Sequence, residues 1–231
     1  MRTLFLRHGE SSSNAAIGVV ALPEQEGDRL SERGERQAAA AAVHVAELGV
    51  SRIVCSPMGR ARETAAPIAA ATGLEPETWE WIHELQEPPS YFAMSGSEQQ
   101  RHRWSNRMLR HADDPTDAPE GGESFADLLG RVERAREQLV ADDVDRTLVV
   151  GHGIFLRFTF MSTLLGDAFT PRVVDRLWRI GSLNCGLSTF DHVAHSRSEN
   201  PADIEGWRCV SWMAPVPGAE VTGTGGEGPG N

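Results

Sequence analysis

The 231-residue chain has no apolar run of the roughly 18 residues that a membrane-spanning helix needs. Its first residues, MRTLFLRHGE, lack the longer apolar stretch and the cleavage site of a secretory signal peptide. We therefore expect no membrane partner and a cytoplasmic location.

Cysteine is scarce, with Cys55, Cys185 and Cys209 as the only three in the chain. Their odd number and wide spacing indicate neither a disulfide framework nor a zinc-binding motif. Each lies among strand-like apolar residues, so we interpret all three as small buried thiols.

Positive charge is also in short supply: 22 Lys and Arg residues face 33 Asp and Glu residues, and the formal net charge is −11. Proteins that bind duplex nucleic acid neutralise phosphates and are usually basic, so we expect no nucleic-acid partner. An acidic chain can still bind an anion where arginine and histidine converge in a local pocket.

Short apolar runs alternate with helix-like segments along most of the chain. Predicted buried strands are Thr3 to Leu6, Ser51 to Cys55 and Thr147 to Val150, and predicted helices are Ser31 to Leu48, Gly59 to Ala71, about 124 to 141, and Ile154 to Leu165. This alternation predicts a three-layer α/β/α sandwich with a mainly parallel central sheet and helices on both faces.

We interpret residues 1–213 as a single domain. Weaker patterns inside it predict a short strand at Thr78 to Ile82 and two further strands, Ser182 to Phe190 and Trp207 to Met213, at a sheet edge or in a hairpin. The polar segment at about 88–119 is predicted to be a helical insertion. Residues 214–231 are rich in glycine and proline and are predicted to be a disordered tail.

Reactive side chains follow the three buried strands. The first strand ends at Arg7 and His8, the second leads through Ser56 to Arg60, and the third ends before His152. Ligands of open α/β sheets bind at the carboxyl ends of parallel strands, so these distant residues are expected to meet in one pocket.

Two guanidinium groups and two imidazoles suit a phosphoryl group. Arginine donates paired hydrogen bonds to phosphate oxygens, and an unprotonated histidine can attack phosphorus. Glycines next to His8 and His152, including Gly153, let the main chain approach the ligand.

Five segments, in order, resemble the histidine phosphatase superfamily, which includes phosphoglycerate mutases and many phosphatases. They are RHGESSSN at 7–14, LSERGERQA at 30–38, SPMGRARETA at 56–65, GGES at 121–124 and VVGHG at 149–153.

The resemblance implies that His8 is the nucleophile that carries the phosphoryl group. Arg7, Arg60 and His152 correspond to the phosphate clamp, and Asn14 corresponds to a residue that contacts the same oxygens. A glutamate after the third strand supplies the acid and base. Glu84 matches that position best, and Glu87 is the alternative.

The expected activity is a metal-independent phosphatase that needs no cofactor and hydrolyses a small phosphate monoester through a phosphohistidine. A phosphoglycerate mutase-type transfer and a non-catalytic phospholigand-binding protein are the alternatives. The segment LQEPPS at 85–90 matches the substrate loop of neither the mutases nor the small phosphatases of the family, so the ester itself is not indicated. Neither is the oligomeric state.

Two other segments have alternative interpretations. Glu123 and Ser124 either begin a helix, which we favour, or take part in the chemistry. The arginines and histidines of the insertion form either a solvated helix face, which we favour, or a second anion site; they are Arg101, His102, Arg103, Arg107, Arg110 and His111.

Overall fold

The computed structural model describes residues 1–15, 28–94, 104–194 and 205–224. Its main feature is a six-stranded sheet in the order β3-β2-β4-β1-β6-β7. The strands are β1 (Arg2–Arg7), β2 (Arg52–Cys55), β3 (Pro76–Thr78), β4 (Thr147–Gly151), β6 (Leu187–Val193) and β7 (Gly206–Ala214). A separate two-stranded sheet pairs β5 (Ser182–Leu183) with β8 (Gly223–Thr224).

The four strands β1 to β4 run parallel to one another, whereas β6 runs antiparallel to β1 and β7 runs antiparallel to β6. Alternate residues of the central strands face opposite sides of the sheet, and both sides are buried. Leu4 and Leu6 of β1 pack into one core cluster, whereas Phe5 packs into the other. The sheet therefore has a helical layer on each face, as the alternation of elements predicts.

Two pairs of long helices cover the sheet. On one face lie α2 (Glu32–Glu47) and α3 (Gly59–Thr72), and on the other lie α6 (Phe125–Asp142) and α7 (Gly153–Leu165). Shorter helices are α1 (Ser12–Ala15), α4 (Pro89–Phe92) and α5 (Trp104–Arg110), and 3-10 helices span Glu80–Ile82, Gly166–Ala168 and Pro171–Arg179.

The termini of the long helices follow from local chemistry. Ser31 caps α2 by accepting the Gly34 N–H, and Ser124 forms a reciprocal capping box with Asp127 at α6. The prediction that Ser124 begins a helix is confirmed. At the end of α3, Gly73 has a φ of 72°, a left-handed conformation that glycine adopts readily.

Two predicted strands have different bounds in the structure. The strand predicted at Thr78 to Ile82 is wrong, because β3 ends at Thr78 and Glu80–Ile82 form a 3-10 helix that buries Ile82. The strand predicted from Ser182 to Phe190 is interrupted between β5 and β6, where Cys185 has a φ of 51°. The predicted hairpin of β6 and β7 at the sheet edge is confirmed.

The tail prediction is wrong for residues 214–224. Val216 is buried, β8 pairs with β5, and Gln37 donates hydrogen bonds to the Glu220 carbonyl oxygen and the Thr222 hydroxyl. These long-range contacts hold a glycine- and proline-rich segment that composition alone assigns to disorder. Residues 225–231 lie outside the described residues.

The insertion contains α4 and α5, which agrees with its predicted helical character, although 95–103 lie outside the described residues. Cys55 and Cys185 are buried as predicted, whereas Cys209 on the edge strand β7 is only half-buried. In the described part of the chain, none of the helices combines the length and the apolar character that crossing a membrane requires.

Candidate active site

The predicted clamp residues meet at the carboxyl ends of β1, β2 and β4. Arg7 is the last residue of β1, His8 follows it, Arg60 lies in the first turn of α3, and His152 is the N-cap of α7. All four are buried, and none is more than 4% exposed. The parallel sheet places its strand ends together, so residues up to 145 positions apart form one cluster.

The His8 ring is fixed in one tautomer by its own backbone neighbour. Its Nδ1 lies 2.6 Å from the Gly9 carbonyl oxygen, which can only accept a hydrogen bond, so Nδ1 carries the proton. The lone pair is therefore on Nε2, to which Arg60 Nε donates at 3.2 Å. The nucleophilic nitrogen of His8 thus faces the guanidinium that would hold a phosphate.

Burial keeps both imidazoles neutral. It lowers the pKa of His8 well below its usual value, and the positive charges of Arg60 and Arg7 lower it further. The pKa of His152 is lowered in the same way by burial and then by Arg60 and His8, whose ring centroid lies 5.3 Å away. A neutral imidazole retains the lone pair that attack on phosphorus requires.

His152 is oriented by Ser56. The sequence analysis places Ser56 between the second strand and Arg60 but predicts no role for it. The Ser56 Oγ lies 2.7 Å from His152 Nε2 and accepts the Met58 N–H at 3.3 Å. While it accepts from that amide, the hydroxyl can donate its own proton to His152 Nε2, and in that arrangement the imidazole proton lies on Nδ1. That Nδ1 is buried and has no hydrogen-bond partner among the described residues.

Arg7 is held by neighbours on two sides. Its guanidinium donates to the Ser182 carbonyl oxygen and, at 3.3 Å, to Asn14 Oδ1. Its pKa is lowered to about 10, mainly by burial and then by the charge of the neighbouring Arg157, while the charge of Glu84 opposes the shift. Asn14 is thus placed beside Arg7, where it also accepts from Asn184 at 3.1 Å.

Gly153 borders the same guanidinium. A Cβ added to Gly153 would lie 3.3 Å from Arg7 Nε and 3.4 Å from the Ser182 Oγ, closer than most side chains pack. The glycine therefore allows the start of α7 to approach Arg7 closely, as its position beside His152 predicts.

Glu84 and Glu87 have different neighbours. The Glu84 carboxylate accepts the N–H groups of Ile154 at 3.0 Å and Phe155 at 3.3 Å, in the first turn of α7, and its charge acts on Arg7. The charge of Glu87 acts on Arg107, in the insertion. Of the two glutamates, the geometry favours Glu84 as the acid and base.

Comparison with known proteins agrees with this arrangement. A family model of the histidine phosphatase superfamily, branch 1, matches residues 3–199. This match spans most of the chain and all of the clustered residues. The chain belongs to the histidine phosphatase superfamily.

Curated relatives of this family member include probable phosphoglycerate mutases GpmB. The protein from Serratia proteamaculans is 31% identical over 212 residues and that from Yersinia enterocolitica 32% over 212 residues, each covering 90% of both chains. Among solved structures, a mycobacterial glucosyl-3-phosphoglycerate phosphatase has a TM-score of 0.69 at 26% identity and covers 92% of this chain and 99% of its own. The phosphoserine phosphatase of Entamoeba histolytica, at 19% identity and a TM-score of 0.70, covers 92% and 96% and shares the fold.

Several residues of the site have no signal in the family-like motifs. Asp28 forms a buried ion pair with Arg60 at 2.9 Å and accepts the Ser13 N–H. Asn184 donates to the His8 carbonyl oxygen at 3.3 Å, and Arg157 is buried near Arg7 and Glu84. Each lies outside the five motifs, whereas Ser56 is the first residue of one of them and could have been found from its place directly after β2.

The basic residues of the insertion are only partly described, because 101–103 lie outside the described residues. Arg107 is half-buried and donates to the Asp117 carboxylate and, at 2.9 Å, to the Glu123 carbonyl oxygen. It therefore supports the insertion rather than forming part of a solvated face. Within the described ranges no three His, Cys, Asp or Glu side chains are grouped as metal ligands.

Proposed function

We propose that this histidine phosphatase family member hydrolyses a small phosphate monoester through a phosphohistidine at His8, using protein side chains alone. The observation that carries the proposal is the His8 ring itself. Its Nδ1 proton points at the Gly9 carbonyl oxygen and its Nε2 lone pair faces Arg60. A neutral, oriented imidazole beside a fixed guanidinium is the arrangement that in-line attack on a bound phosphate requires.

In the first step, His8 Nε2 forms a bond to phosphorus while the ester P–O bond breaks. Charge on the equatorial oxygens is stabilised by Arg7, Arg60 and the Nδ1–H of His152. Glu84 donates a proton to the leaving alcohol oxygen. As the substrate binds, the Arg60 Nε–H gives up its hydrogen bond to His8 Nε2, which frees the lone pair to attack phosphorus.

In the second step, water attacks the phosphohistidine. Glu84, now a carboxylate, accepts a proton from the water as the new P–O bond forms and the Nε2–P bond breaks. Inorganic phosphate and the starting enzyme result, with the acid form of Glu84 restored.

The names of the relatives favour two substrate groups. The curated relatives are named as probable phosphoglycerate mutases, and the solved mycobacterial relative is named as a phosphatase of glucosyl-3-phosphoglycerate. A phosphoglycerate mutase-type transfer is therefore the second candidate. Incubation with 3-phosphoglycerate separates them, because a phosphatase releases inorganic phosphate and a mutase forms 2-phosphoglycerate.

The proposal is tested by replacing the nucleophile. His8→Ala should lower phosphate release from a phosphate monoester by at least about a thousandfold, since no other group can form the covalent intermediate. Trapping with a radiolabelled ester should label wild-type protein in an acid-labile, base-stable form and leave His8→Ala unlabelled. Wild-type turnover in His8→Ala would refute the phosphohistidine.

A further inference from the structure

Glu84 lies in a segment that has no regular secondary structure of its own. Residues 83–88 connect the 3-10 helix Glu80–Ile82 to α4, and the Glu84 side chain is only half-buried. An acid that must protonate a leaving group has to be held within hydrogen-bond reach of it. The surroundings of residues 83–88 therefore decide how well Glu84 can act.

The side chain of Arg131, from α6, holds the main chain on one side of Glu84. Its Nη1 donates to the carbonyl oxygens of Trp81 at 2.8 Å and His83 at 2.9 Å. The guanidinium carbon also lies 5.6 Å from the centre of the Phe155 ring, in the turn of α7 that receives the Glu84 carboxylate. Arg131 thus connects the backbone before Glu84 to the helix that holds its side chain.

Glu123 holds the main chain on the other side. Its Oε2 accepts the Gln86 N–H at 3.1 Å, and its own N–H donates to the Gln86 carbonyl oxygen at 3.0 Å. Residues 83 and 86, on either side of Glu84, are therefore both anchored to this pair of side chains.

The two anchors are joined to each other. Arg131 Nε and Nη2 donate to Glu123 Oε1 at 2.5 Å and Oε2 at 2.8 Å, a bidentate pair whose side chains are 14% and 8% exposed. Such a fork restricts both partners to one relative orientation, and removal of one leaves a buried charge without its counter-ion.

We infer that the Glu123–Arg131 pair is the positioning device for Glu84, and that it acts specifically on proton transfer to the leaving group. The inference rests on the proposed function, in which Glu84 is the acid. Glu123 and Arg131 act through the backbone that carries Glu84.

The test uses two esters that differ in their need for an acid. The leaving group of 4-nitrophenyl phosphate is a stable phenolate, which needs no proton. The leaving group of glycerol 2-phosphate is an alkoxide, which must be protonated as it departs. For Glu123→Gln and Arg131→Gln, we expect kcat for glycerol 2-phosphate to fall by about ten- to a hundredfold, and kcat for 4-nitrophenyl phosphate to stay within about twofold.

Glu84→Gln should show the same asymmetry with a larger loss, about a hundred- to ten-thousandfold on the alkyl ester. Asp142→Asn is the matched control: it removes a partly buried partner of Arg52 on the same helix, α6, and should leave the ratio of the two rates as in wild type. Should Glu123→Gln fail to fold, Glu123→Asp displaces the same carboxylate and is expected to change the ratio in the same direction.

The Glu84→Gln variant distinguishes the positioning role of the Glu123–Arg131 pair from the acid role of Glu84. If Glu84→Gln shows the asymmetry and both pair variants lose activity equally on the two esters, or lose none, only the positioning role is overturned. If Glu84→Gln itself loses both activities equally, the acid role of Glu84 in the proposed function fails and the inference fails with it.

Discussion

The His8 and His152 rings each contact one neighbouring oxygen through a ring nitrogen. The Gly9 carbonyl oxygen takes the Nδ1 proton of His8, so His8 offers a lone pair at Nε2. The Ser56 hydroxyl accepts the Met58 N–H and can donate to Nε2 of His152, an arrangement in which His152 offers a proton at Nδ1. At the residue scale, the proposed reaction uses one imidazole to attack and the other to donate.

Ser56→Ala should weaken this division of roles. Without the hydroxyl, His152 can hold its proton on Nε2 and present a lone pair to the phosphate oxygens. Loss of one oriented hydrogen bond at a buried site corresponds to about 1.4 kcal/mol, so we expect kcat/KM for a phosphate monoester to fall about tenfold.

Ser162→Ala is the control for that measurement, because Ser162 lies near the other end of α7 and contacts Arg136 and Thr159. Its kcat/KM should equal that of wild type, and both variants should be compared by thermal unfolding. An unchanged kcat/KM in Ser56→Ala would contradict the tautomer argument.

At the element scale, the loop after β1 rests directly on the start of α2. A Cβ added to Gly34 would lie 2.0 Å from the Glu10 carbonyl oxygen, and one added to Gly9 would lie 2.7 Å from the Gly34 carbonyl oxygen. The Glu10 carbonyl oxygen also accepts the Ser31 N–H at the α2 N-cap. This contact between two backbones holds His8 beside α2, and only glycine leaves room for it.

Gly34→Ala should therefore destabilise the protein although it replaces glycine within a helix. Overpacking of this kind costs about 1–3 kcal/mol, which exceeds the gain of about 0.5–1 kcal/mol in helix propensity. Urea unfolding should show a lower free energy of unfolding, and kcat/KM should fall because the His8 loop is displaced.

Gly130→Ala supplies the matched comparison. Gly130 is an exposed residue within α6, and nothing lies within 4 Å of the position of its Cβ. The same replacement there should raise the free energy of unfolding by about 0.5–1 kcal/mol. If the two replacements change the free energy of unfolding equally, the contact between the β1 loop and α2 accommodates the added methyl group without cost, and the prediction for Gly34 is wrong.

At the scale of the whole molecule, the chain carries a net negative charge, but its buried site contains arginines and unprotonated histidines. The net charge is −11, yet Arg7, Arg60 and Arg157 are buried together near two neutral histidines. Burial and these cations lower the histidine pKa values in the folded state, whereas in the unfolded chain the histidines take up protons near pH 6.5.

Stability is therefore expected to fall as the pH drops below about 6.5, because the unfolded state then binds protons that folded His8 and His152 cannot bind. Each histidine contributes a slope of up to about 1.4 kcal/mol per pH unit. Some carboxylates also have a pKa that is lowered in the folded state, such as those of Asp127 and Asp191. They change the pH dependence of stability only at lower pH, near their unfolded pKa values.

Melting temperatures of wild type and of the two histidine variants, measured between pH 7.5 and pH 5, test this prediction. Wild type should lose more stability over this range than His8→Gln or His152→Gln, each of which lacks one of the two groups. Parallel curves for the three proteins would contradict neutral histidines at the site.

The sequence by itself determined the layers of the fold and which residues cluster as the proposed phosphate clamp. Continuous apolar runs in β1, β2 and β4 indicate a sheet buried on both faces, and the carboxyl ends of parallel strands share an edge, so Arg7, His8, Arg60 and His152 were expected to meet. These are consequences of local periodicity and chain topology, which can be read without coordinates.

Only the tertiary structure decided which groups surround the clamp. Asp28 on Arg60, Asn184 on His8 and the Glu123–Arg131 pair around Glu84 depend on contacts between segments that no local pattern relates. The C-terminal segment through Thr224 packs against the domain for the same reason, because its partners, β5 and Gln37, lie far away in sequence. Hydrogen bonds of this kind form only after packing has brought the segments together, and composition carries no record of them.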